Sequence, residues 1–286
     1  MCGRYDNLIA REAYRALFMA ERLPPSNFPP RYNIAPTDQI PIVRVDPRDG
    51  TRELAMVRWG LIPYWMKEKP KVPHINARAE TVHTQPLFRD AFARRRCLIP
   101  ATGFYEWQKR ADGKQPYRFV RKDMEPFAFA GIWEYVKLQE ARRAGGPTGT
   151  NREEAKRAPR VSPEASPRAS SGPTGTHREE AGGPGGPAAG EAILSAAIIV
   201  GEPNPLTAAV HDRMPVILMP DDYDAWLDKG TAIDVARAML KPYDAALMKA
   251  YAVSRLVNSV KNDVETLIEP LADEPVLGVD TNPSLI

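Results

Sequence analysis

The second residue of the chain, in the stretch MCGRY, is one of only two cysteines among 286 residues. Aminopeptidases remove an initiator methionine when the next residue is small, so we expect Met1 to be removed and Cys2 to become the amino terminus. Cys2 would then carry a free α-amine and a thiol on adjacent carbons. An α-amine has a reference pKa of about 7.7–8.0, so an appreciable fraction is neutral at pH 7 and can attack a carbonyl carbon. The alternative is that Cys2 is simply a small hydrophobic residue.

Three further polar residues stand in apolar or Gly/Pro-punctuated settings: Asn76 in INARAE, Glu106 in TGFYEWQ and His211 in HDRMPVIL. Each also has a purely structural interpretation. Asn76 could cap a following helix. Glu106 could lie on the solvated face of a strand, and His211 could be a structural histidine. If the flanking Tyr105 and Trp107 desolvate Glu106, its pKa rises, which suits a general acid.

Short strand-like segments make up most of the predicted secondary structure that must position these residues. Strands are predicted at residues 40–45, 54–59, 97–99, 104–108, 117–121, 127–135, 193–200 and 216–219. Helices are predicted within residues 8–22 and near 88–95, 223–227 and 232–240. Many short strands with few helices indicate an α+β fold, namely an antiparallel, β-rich, barrel-like single domain with flanking helices.

Residues 139–190 differ in composition from the rest of the chain. They contain ten of the nineteen glycines and no aromatic residue, and GPTGTNREEA returns 26 residues later as GPTGTHREEA. Such a segment buries too little apolar surface to offset the entropy of ordering, so we predict a disordered insertion that grew by duplication. Residues 1–138 and 191–286 are then one domain. The two strands that flank the insertion are predicted to pair as a hairpin.

The composition excludes several classes of protein. Two cysteines cannot form a disulfide framework, and four histidines without a Cys/His cluster argue against a metal site. No Gly-rich phosphate loop indicates a nucleotide cofactor, so no cofactor is expected. The chain has no apolar run of about 18 residues and no signal peptide, so we expect a cytoplasmic protein without membrane contact. A net charge of only +3 means that any nucleic-acid binding requires a local basic surface.

Seven motifs occur in one order along the chain. They are MCGRY, RYNIAP (31–36), RWGLIPYW (58–65), INARAE (75–80), GFYEW (103–107), HDRMPVIL (211–218) and VSRLVNSVKND (253–263). This series resembles the SRAP family, the SOS-response-associated peptidases or abasic-site processing proteins. The resemblance covers nearly the whole chain except for the insertion, whose role it leaves open.

The resemblance implies a chemical role for each of the four candidates. Cys2 would be the nucleophile that joins covalently to an abasic site, and Asn76 would position the Cys2 terminus. Glu106 would act as an acid or base, and His211 as a second proton-transfer residue. The expected product is a thiazolidine that contains the nitrogen and sulfur of Cys2.

The resemblance also implies a DNA-binding surface. Arg4 and Arg78 would contact phosphates around the lesion, and Trp59, Pro63 and Trp65 would lie near a groove where aromatic faces stack on bases. The expected partner is single-stranded DNA with abasic sites, bound by a monomer that associates with the nucleoid when the DNA is damaged.

Three alternatives stay open at this level. A glutamine amidotransferase or another N-terminal-nucleophile hydrolase also begins Met-Cys-Gly, although nothing here supplies a synthase domain. A thiol peptidase would pair Cys2 with His211, and the exposure of Cys2 could itself be autoproteolytic. A non-enzymatic module would bind damaged single-stranded DNA without a covalent bond.

Overall fold

A computed structural model describes residues 2–138 and 192–278, so the predicted insertion lies outside the described residues. The strands are β1 (Tyr5–Asn7), β2 (Arg31–Ile34), β3 (Gln39–Val45), β4 (Arg52–Trp59), β5 (Asn76–Arg78), β6 (Arg96–Ala101), β7 (Gly103–Arg110), β8 (Gly113–Arg121), β9 (Phe127–Lys137), β10 (Ala192–Gly201), β11 (Met214–Pro215), β12 (Ile217–Leu218) and β13 (Met248–Ala252). The α-helices are α1 (Ala13–Phe18), α2 (Arg89–Arg94), α3 (Pro205–Ala208), α4 (Tyr223–Leu227) and α5 (Ile233–Ala238). Short 3₁₀ helices span Pro220–Asp222, Ala245–Leu247, Arg255–Asn258 and Glu265–Ile268.

Five strands close into a ring. Antiparallel pairing links β4 to β3, β3 to β6, β6 to β9 and β9 to β10. A parallel pairing of β10 with β4, in which Ser195 lies opposite Arg58, completes the circuit. The strands β5, β11 and β12 add to this ring at its edges. The fold is therefore β-rich and barrel-like, with short helices in a single domain, which confirms the predicted class.

A second sheet places the amino-terminal strand between two others. Its order is β13-β8-β7-β1-β2, and all its pairings are antiparallel. Tyr5 of β1 lies opposite Ile34 on one side and opposite Phe104 of β7 on the other. This pairing brings the start of the chain beside the strand that carries Glu106.

The two faces of the ring contribute to different cores, because successive side chains on a strand point to opposite sides. One face packs with the second sheet in a cluster that includes Cys2, Trp59, Phe104 and Phe129. The other face packs against the helices and includes Trp226 of α4, whose indole nitrogen donates to a backbone carbonyl of β6. The first of these cores surrounds the candidate chemistry.

Several element boundaries differ from the sequence prediction. The predicted hairpin is confirmed, since Ala192 of β10 lies opposite Lys137 of β9. The first helix is shorter than residues 8–22 and ends where Met19 takes a left-handed conformation at φ 52°. The strand predicted at 216–219 is present but shorter, as β12 at Ile217–Leu218, and the preceding β11 pairs with β10 whereas β12 pairs with β9.

Within residues 2–138 and 192–278, no helix is both long enough and apolar enough to cross a bilayer. The same residues contain no group of three or more histidine, cysteine, aspartate or glutamate side chains that could hold a metal ion.

A buried ion pair ties β1 to β8 across the intervening strand β7. The Arg118 guanidinium donates to both carboxylate oxygens of Asp6, each at 2.8 Å, and both side chains are almost wholly buried. Gly103 of β7 permits this approach, since a Cβ there would lie 2.8 Å from atoms of both partners. The pair therefore fixes β1, and with it the segment that carries Cys2.

We expect Arg118→Met to lower the free energy of unfolding by about 3–5 kcal/mol, because it leaves the Asp6 carboxylate buried without its partner. Urea denaturation measures this loss. The exposed pair of Arg255 with Asp112 provides the control, and Arg255→Met should cost less than about 1 kcal/mol. Equal losses in the two variants would show that the buried pair does not anchor β1.

Candidate active site

Cys2 lies immediately before β1, and none of its surface is exposed. The side-chain amide of Asn76 donates a hydrogen bond to the Cys2 backbone carbonyl at 2.9 Å. Asn76 begins β5 and lies opposite Ile198 of β10, so the ring strand sets the position of this amide. The Asn76 side chain is thus built to hold the backbone of Cys2, and it caps no helix.

Glu106 projects from the same face of β7 as Phe104, toward the core that contains Cys2. Only 2% of Glu106 is exposed, and burial raises its pKa to about 7. Burial also raises the pKa of the Cys2 thiol well above its usual value, and the negative charge of Glu106 raises it further. The carboxyl group is therefore close to the Cys2 thiol and changes protonation state near neutral pH.

The predicted direction of the Glu106 shift is confirmed, but its predicted cause was wrong. Tyr105 and Trp107 lie on the opposite face of β7, because side chains alternate along a strand. The Tyr105 hydroxyl donates to the Tyr32 carbonyl at 2.7 Å, and the Trp107 indole donates to Asn258. Burial on the core side desolvates Glu106, so the interpretation as a solvated strand face was also wrong.

His211 follows α3, and its backbone amide donates to the Thr207 carbonyl at 2.8 Å. Its Nδ1 accepts a hydrogen bond from the Arg213 amide at 3.1 Å, which leaves Nε2 directed to Glu106, 3.8 Å from the nearer carboxylate oxygen. Burial lowers the pKa of His211, so the neutral imidazole is favoured at pH 7. A neutral imidazole near a half-ionised carboxyl group can accept or return a proton.

The four predicted catalytic residues therefore converge from four separate segments of the chain. Cys2 precedes β1, Asn76 begins β5, Glu106 lies in the middle of β7 and His211 follows α3. Contacts or charge effects connect them in the order Asn76, Cys2, Glu106, His211. The arrangement brings a held backbone, a thiol, a carboxyl group and an imidazole close together.

Arg4 and Arg78, the two residues predicted to contact phosphate, follow Cys2 and Asn76 closely in the chain. Arg4 lines a cleft of about 490 Å³ next to Gly3, and its guanidinium donates to Asn33 at 2.7 Å and to the Val257 carbonyl at 2.8 Å. Arg78 is exposed at the end of β5, two residues beyond Asn76. Both cations are thus close in the chain to residues that position Cys2.

The three predicted groove residues do not share one environment. Trp59 is fully buried, donates its indole N–H to the Ile75 carbonyl at 3.0 Å, and meets Tyr5 edge-on with ring centroids 5.3 Å apart. Pro63 is buried as well. Neither presents a face to a base in this structure, and the predicted place of Trp59 and Pro63 near a DNA-binding groove stays a prediction. Trp65 is 52% exposed and can still stack.

Sequence reasoning missed the side chains that shape the cleft beside Cys2. Asn33 is fully buried, accepts from Arg4, and donates to the carbonyls of Val257, Ser259 and Asn262. The Asp263 carboxylate accepts a hydrogen bond from the backbone N–H of Asn33 at 3.0 Å. These contacts join the motifs at 31–36 and 253–263. The joint occurrence of the two motifs was the only feature of the sequence that could have pointed to these residues.

Comparisons with known proteins agree with this geometry. The sequence profile of the family described as SOS response associated peptidase (SRAP) matches residues 1–260. The abasic site processing protein YoqW of Bacillus subtilis is 35% identical over 274 residues, which cover 94% of this chain and 99% of YoqW. The abasic site processing protein YedK of Escherichia coli is 30% identical, over 95% of this chain and all of YedK.

A solved structure supports the fold independently. A crystal structure of a protein from Bacteroides thetaiotaomicron superposes with a TM-score of 0.68 at 22% identity, over 94% of this chain and all of that chain. At this identity the likeness establishes a shared fold.

Proposed function

The chain belongs to the SOS response associated peptidase (SRAP) family, and from this membership and the geometry around Cys2 we propose that it processes abasic sites in DNA. Several relatives carry the name of abasic site processing proteins. The proposed product is a covalent bond between the protein and the lesion, which shields the lesion during the response to DNA damage.

One observation carries the proposal: the convergence of Asn76, Glu106 and His211 on the second residue of the chain. An aminothiol reagent needs its backbone held and protons moved at its nitrogen, and it does not need a metal. Asn76 holds the Cys2 carbonyl, Glu106 supplies a carboxyl group whose pKa burial raises to about 7, and His211 supplies an imidazole whose pKa is lowered by burial and which is therefore a neutral proton acceptor.

The proposed reaction begins when removal of Met1 converts the Cys2 nitrogen from an amide to an amine. The amine adds to the C1′ aldehyde of the ring-opened sugar and gives a carbinolamine. The carbinolamine loses water and becomes an imine. The Cys2 sulfur then adds to the imine carbon, the thiol proton passes to the nitrogen, and a five-membered thiazolidine closes. This last step is intramolecular and so benefits from a high effective concentration.

Glu106 and His211 divide the proton transfers in this proposal. Protonated Glu106 donates to the departing hydroxyl of the carbinolamine, which suits a carboxyl group with a pKa of about 7. His211 lies 3.8 Å from the Glu106 carboxylate; its neutral imidazole takes a proton from solvent and passes it to the Glu106 carboxylate or to the sugar O4′ during ring opening. Because an imine beside a sugar phosphate is prone to β-elimination, rapid ring closure by the thiol protects the strand.

Single-stranded DNA is the proposed substrate, because an unpaired strand costs less to splay into a cleft than a duplex does. The cleft lined by Gly3 and Arg4, the two residues that follow Cys2 in the chain, is the proposed seat of the strand. Arg78 contacts phosphate on the other side of Asn76, and the exposed ring of Trp65 offers a stacking surface. A protein with this substrate acts in the cytoplasm, at the nucleoid.

A thiol-peptidase mechanism fits the site less well. The nucleophile of such an enzyme is a thiolate, which requires a depressed thiol pKa. Here burial and the charge of Glu106 both raise the pKa of Cys2. The thiol is therefore suited to closing on an imine that another atom has already formed.

Intact mass spectrometry of the full chain mixed with an abasic single-stranded oligonucleotide tests the proposal. We expect the mass of the chain without Met1 plus that of the oligonucleotide, minus one water. An oligonucleotide with a tetrahydrofuran analogue, which has no aldehyde, is the control and should give no adduct. Full adduct yield with Met1 retained would contradict the aminothiol chemistry, and affinity without any adduct would favour a non-covalent binding module.

A further inference from the structure

A second cavity, of about 1000 Å³, lies apart from the candidate active site. It is located where β3 and β9 end and β4, β6 and β10 begin, beside the last turn of α4. None of the four candidate catalytic residues lines it. Its volume is at the upper end of the ~300–1,000 Å³ that is typical of small-molecule sites.

The lining of this cavity is strongly cationic. Seven of the described side chains that line it are arginine or lysine, and four are aspartate or glutamate. Most of these charges pair with one another, as Arg52 does with Asp224 and Arg48 with Asp46. Arg94 and Lys229 are exposed, and neither makes a hydrogen bond or ion pair with another described residue. Two uncommitted cations therefore stand at the mouth, which favours an anionic ligand.

The wall of the cavity also contains polar atoms with unmet hydrogen-bonding capacity. The Glu134 side chain is 97% buried and accepts from Arg95 through one oxygen at 2.6 Å. Its other oxygen, Oε2, and the Nε of Arg95 are buried without a hydrogen-bond partner. Both atoms are covered by protein, so a ligand in the cavity meets instead the exposed part of the Arg95 guanidinium, whose side chain is 24% exposed. An acceptor on the edge of a ligand suits this donor.

Aromatic rings complete the lining. Tyr64 is 55% exposed and Tyr135 is 44% exposed, so part of each ring is open to solvent beside the cavity. The guanidinium of Arg95 lies 5.9 Å from the Tyr64 ring centroid. Exposed aromatic faces beside free cations are the features that bind a base together with its phosphate.

We propose that this cavity binds a nucleotide, either free or as one unit of a DNA strand. The base stacks on Tyr64 or Tyr135, an acceptor on its edge meets the exposed part of the Arg95 guanidinium, and its phosphate lies between Arg94 and Lys229. The inference does not depend on chemistry at Cys2, because none of the residues that react or transfer protons contributes to this cavity.

Calorimetric titration of the full chain with dGMP tests this site, with inorganic phosphate as the base-free probe. We expect dGMP to bind at least tenfold more tightly than phosphate. The double variant R94E/K229E should weaken dGMP binding at least tenfold, and Tyr135→Ala severalfold. The control is K122E/K241E, which makes the same charge change at two exposed lysines outside the cavity and should stay within twofold of the wild type.

A parallel titration with a short undamaged oligothymidylate identifies the source of the nucleotide. Tight dGMP binding that R94E/K229E abolishes supports a site for free nucleotides. Weak dGMP binding, with oligonucleotide binding that falls tenfold in R94E/K229E and is unchanged in K122E/K241E, supports a site for one unit of a strand. The proposal is overturned if the two double variants behave alike, or if phosphate binds as tightly as dGMP.

Discussion

Replacing Cys2 with alanine should abolish the heat-stable bond to abasic single-stranded DNA, lowering its yield on a denaturing gel at least about a hundredfold. Alanine is small, so Met1 is still removed and the α-amine is still present. The imine therefore still forms, but no sulfur is available to close on it. We expect the variant to shift toward strand cleavage by β-elimination, with a bond to DNA only after reduction by borohydride. The yield of heat-stable bond, the extent of strand cleavage and the yield of borohydride-trapped bond thus separate the role of the thiol from that of the amine.

The second cysteine supplies the matched control for this experiment. Cys97 is as fully buried as Cys2, and burial likewise raises its thiol pKa, but it lies on β6 and has no bond to Asn76. Cys97→Ala should keep the full crosslink yield. Cys2→Ser should retain a weaker and more readily reversed adduct, because its oxygen closes a less stable ring. A heat-stable bond of unchanged yield in Cys2→Ala would rule out the aminothiol mechanism.

Local sequence patterns predicted most strands of this fold, because the alternation of apolar and polar residues and the presence of turn residues are visible within a few consecutive positions. The β9–β10 hairpin was predictable across the intervening 139–190, since both partners are apolar runs that need each other to be buried. The parallel contact of β10 with β4 was not predictable, because it joins Ser195 to Arg58 with no turn between them. That contact is what closes the ring.

The site was predictable to the extent that its chemistry depends on residue type. Cys2 was chosen for its place after Met1, and Asn76, Glu106 and His211 as polar residues in unusual contexts; the structure brings the four together. The burial of Trp59 was not predictable, because an indole in a motif looks the same whether it faces a groove or a core, and burial depends on the tertiary packing of β4.

The contribution of Glu106 to the reaction should appear in the pH dependence of crosslinking. The carboxyl group has a pKa of about 7, so its acid form is present below pH 7 and falls tenfold per unit above it. The neutral amine, in contrast, increases with pH up to its own pKa of about 7.7–8.0. The wild-type rate should therefore rise and then fall, with its maximum between about pH 7 and 8.

Glu106→Gln should lower the crosslinking rate at pH 7 by about a hundredfold or more and remove the descending limb above pH 7, because the amide cannot give up a proton. The variant should remain folded. Burial disfavours the Glu106 carboxylate by about 3 kcal/mol, because its pKa rises from 4.5 to about 7 and each pKa unit corresponds to about 1.4 kcal/mol. The variant should therefore be more stable than the wild type at pH 8, and this advantage should shrink as the pH falls from 7 to the ordinary value of 4.5.

Glu53→Gln is the matched control for the Glu106 variant, since Glu53 is a buried carboxylate that pairs with Arg44 away from Cys2. It should keep the bell-shaped pH profile whatever it does to stability. Stopped-time crosslinking between pH 5 and 9, with urea denaturation at each end of that range, measures both quantities. A descending limb that persists in Glu106→Gln would assign it to another group, with His211 the next to replace because it lies 3.8 Å from the same carboxylate.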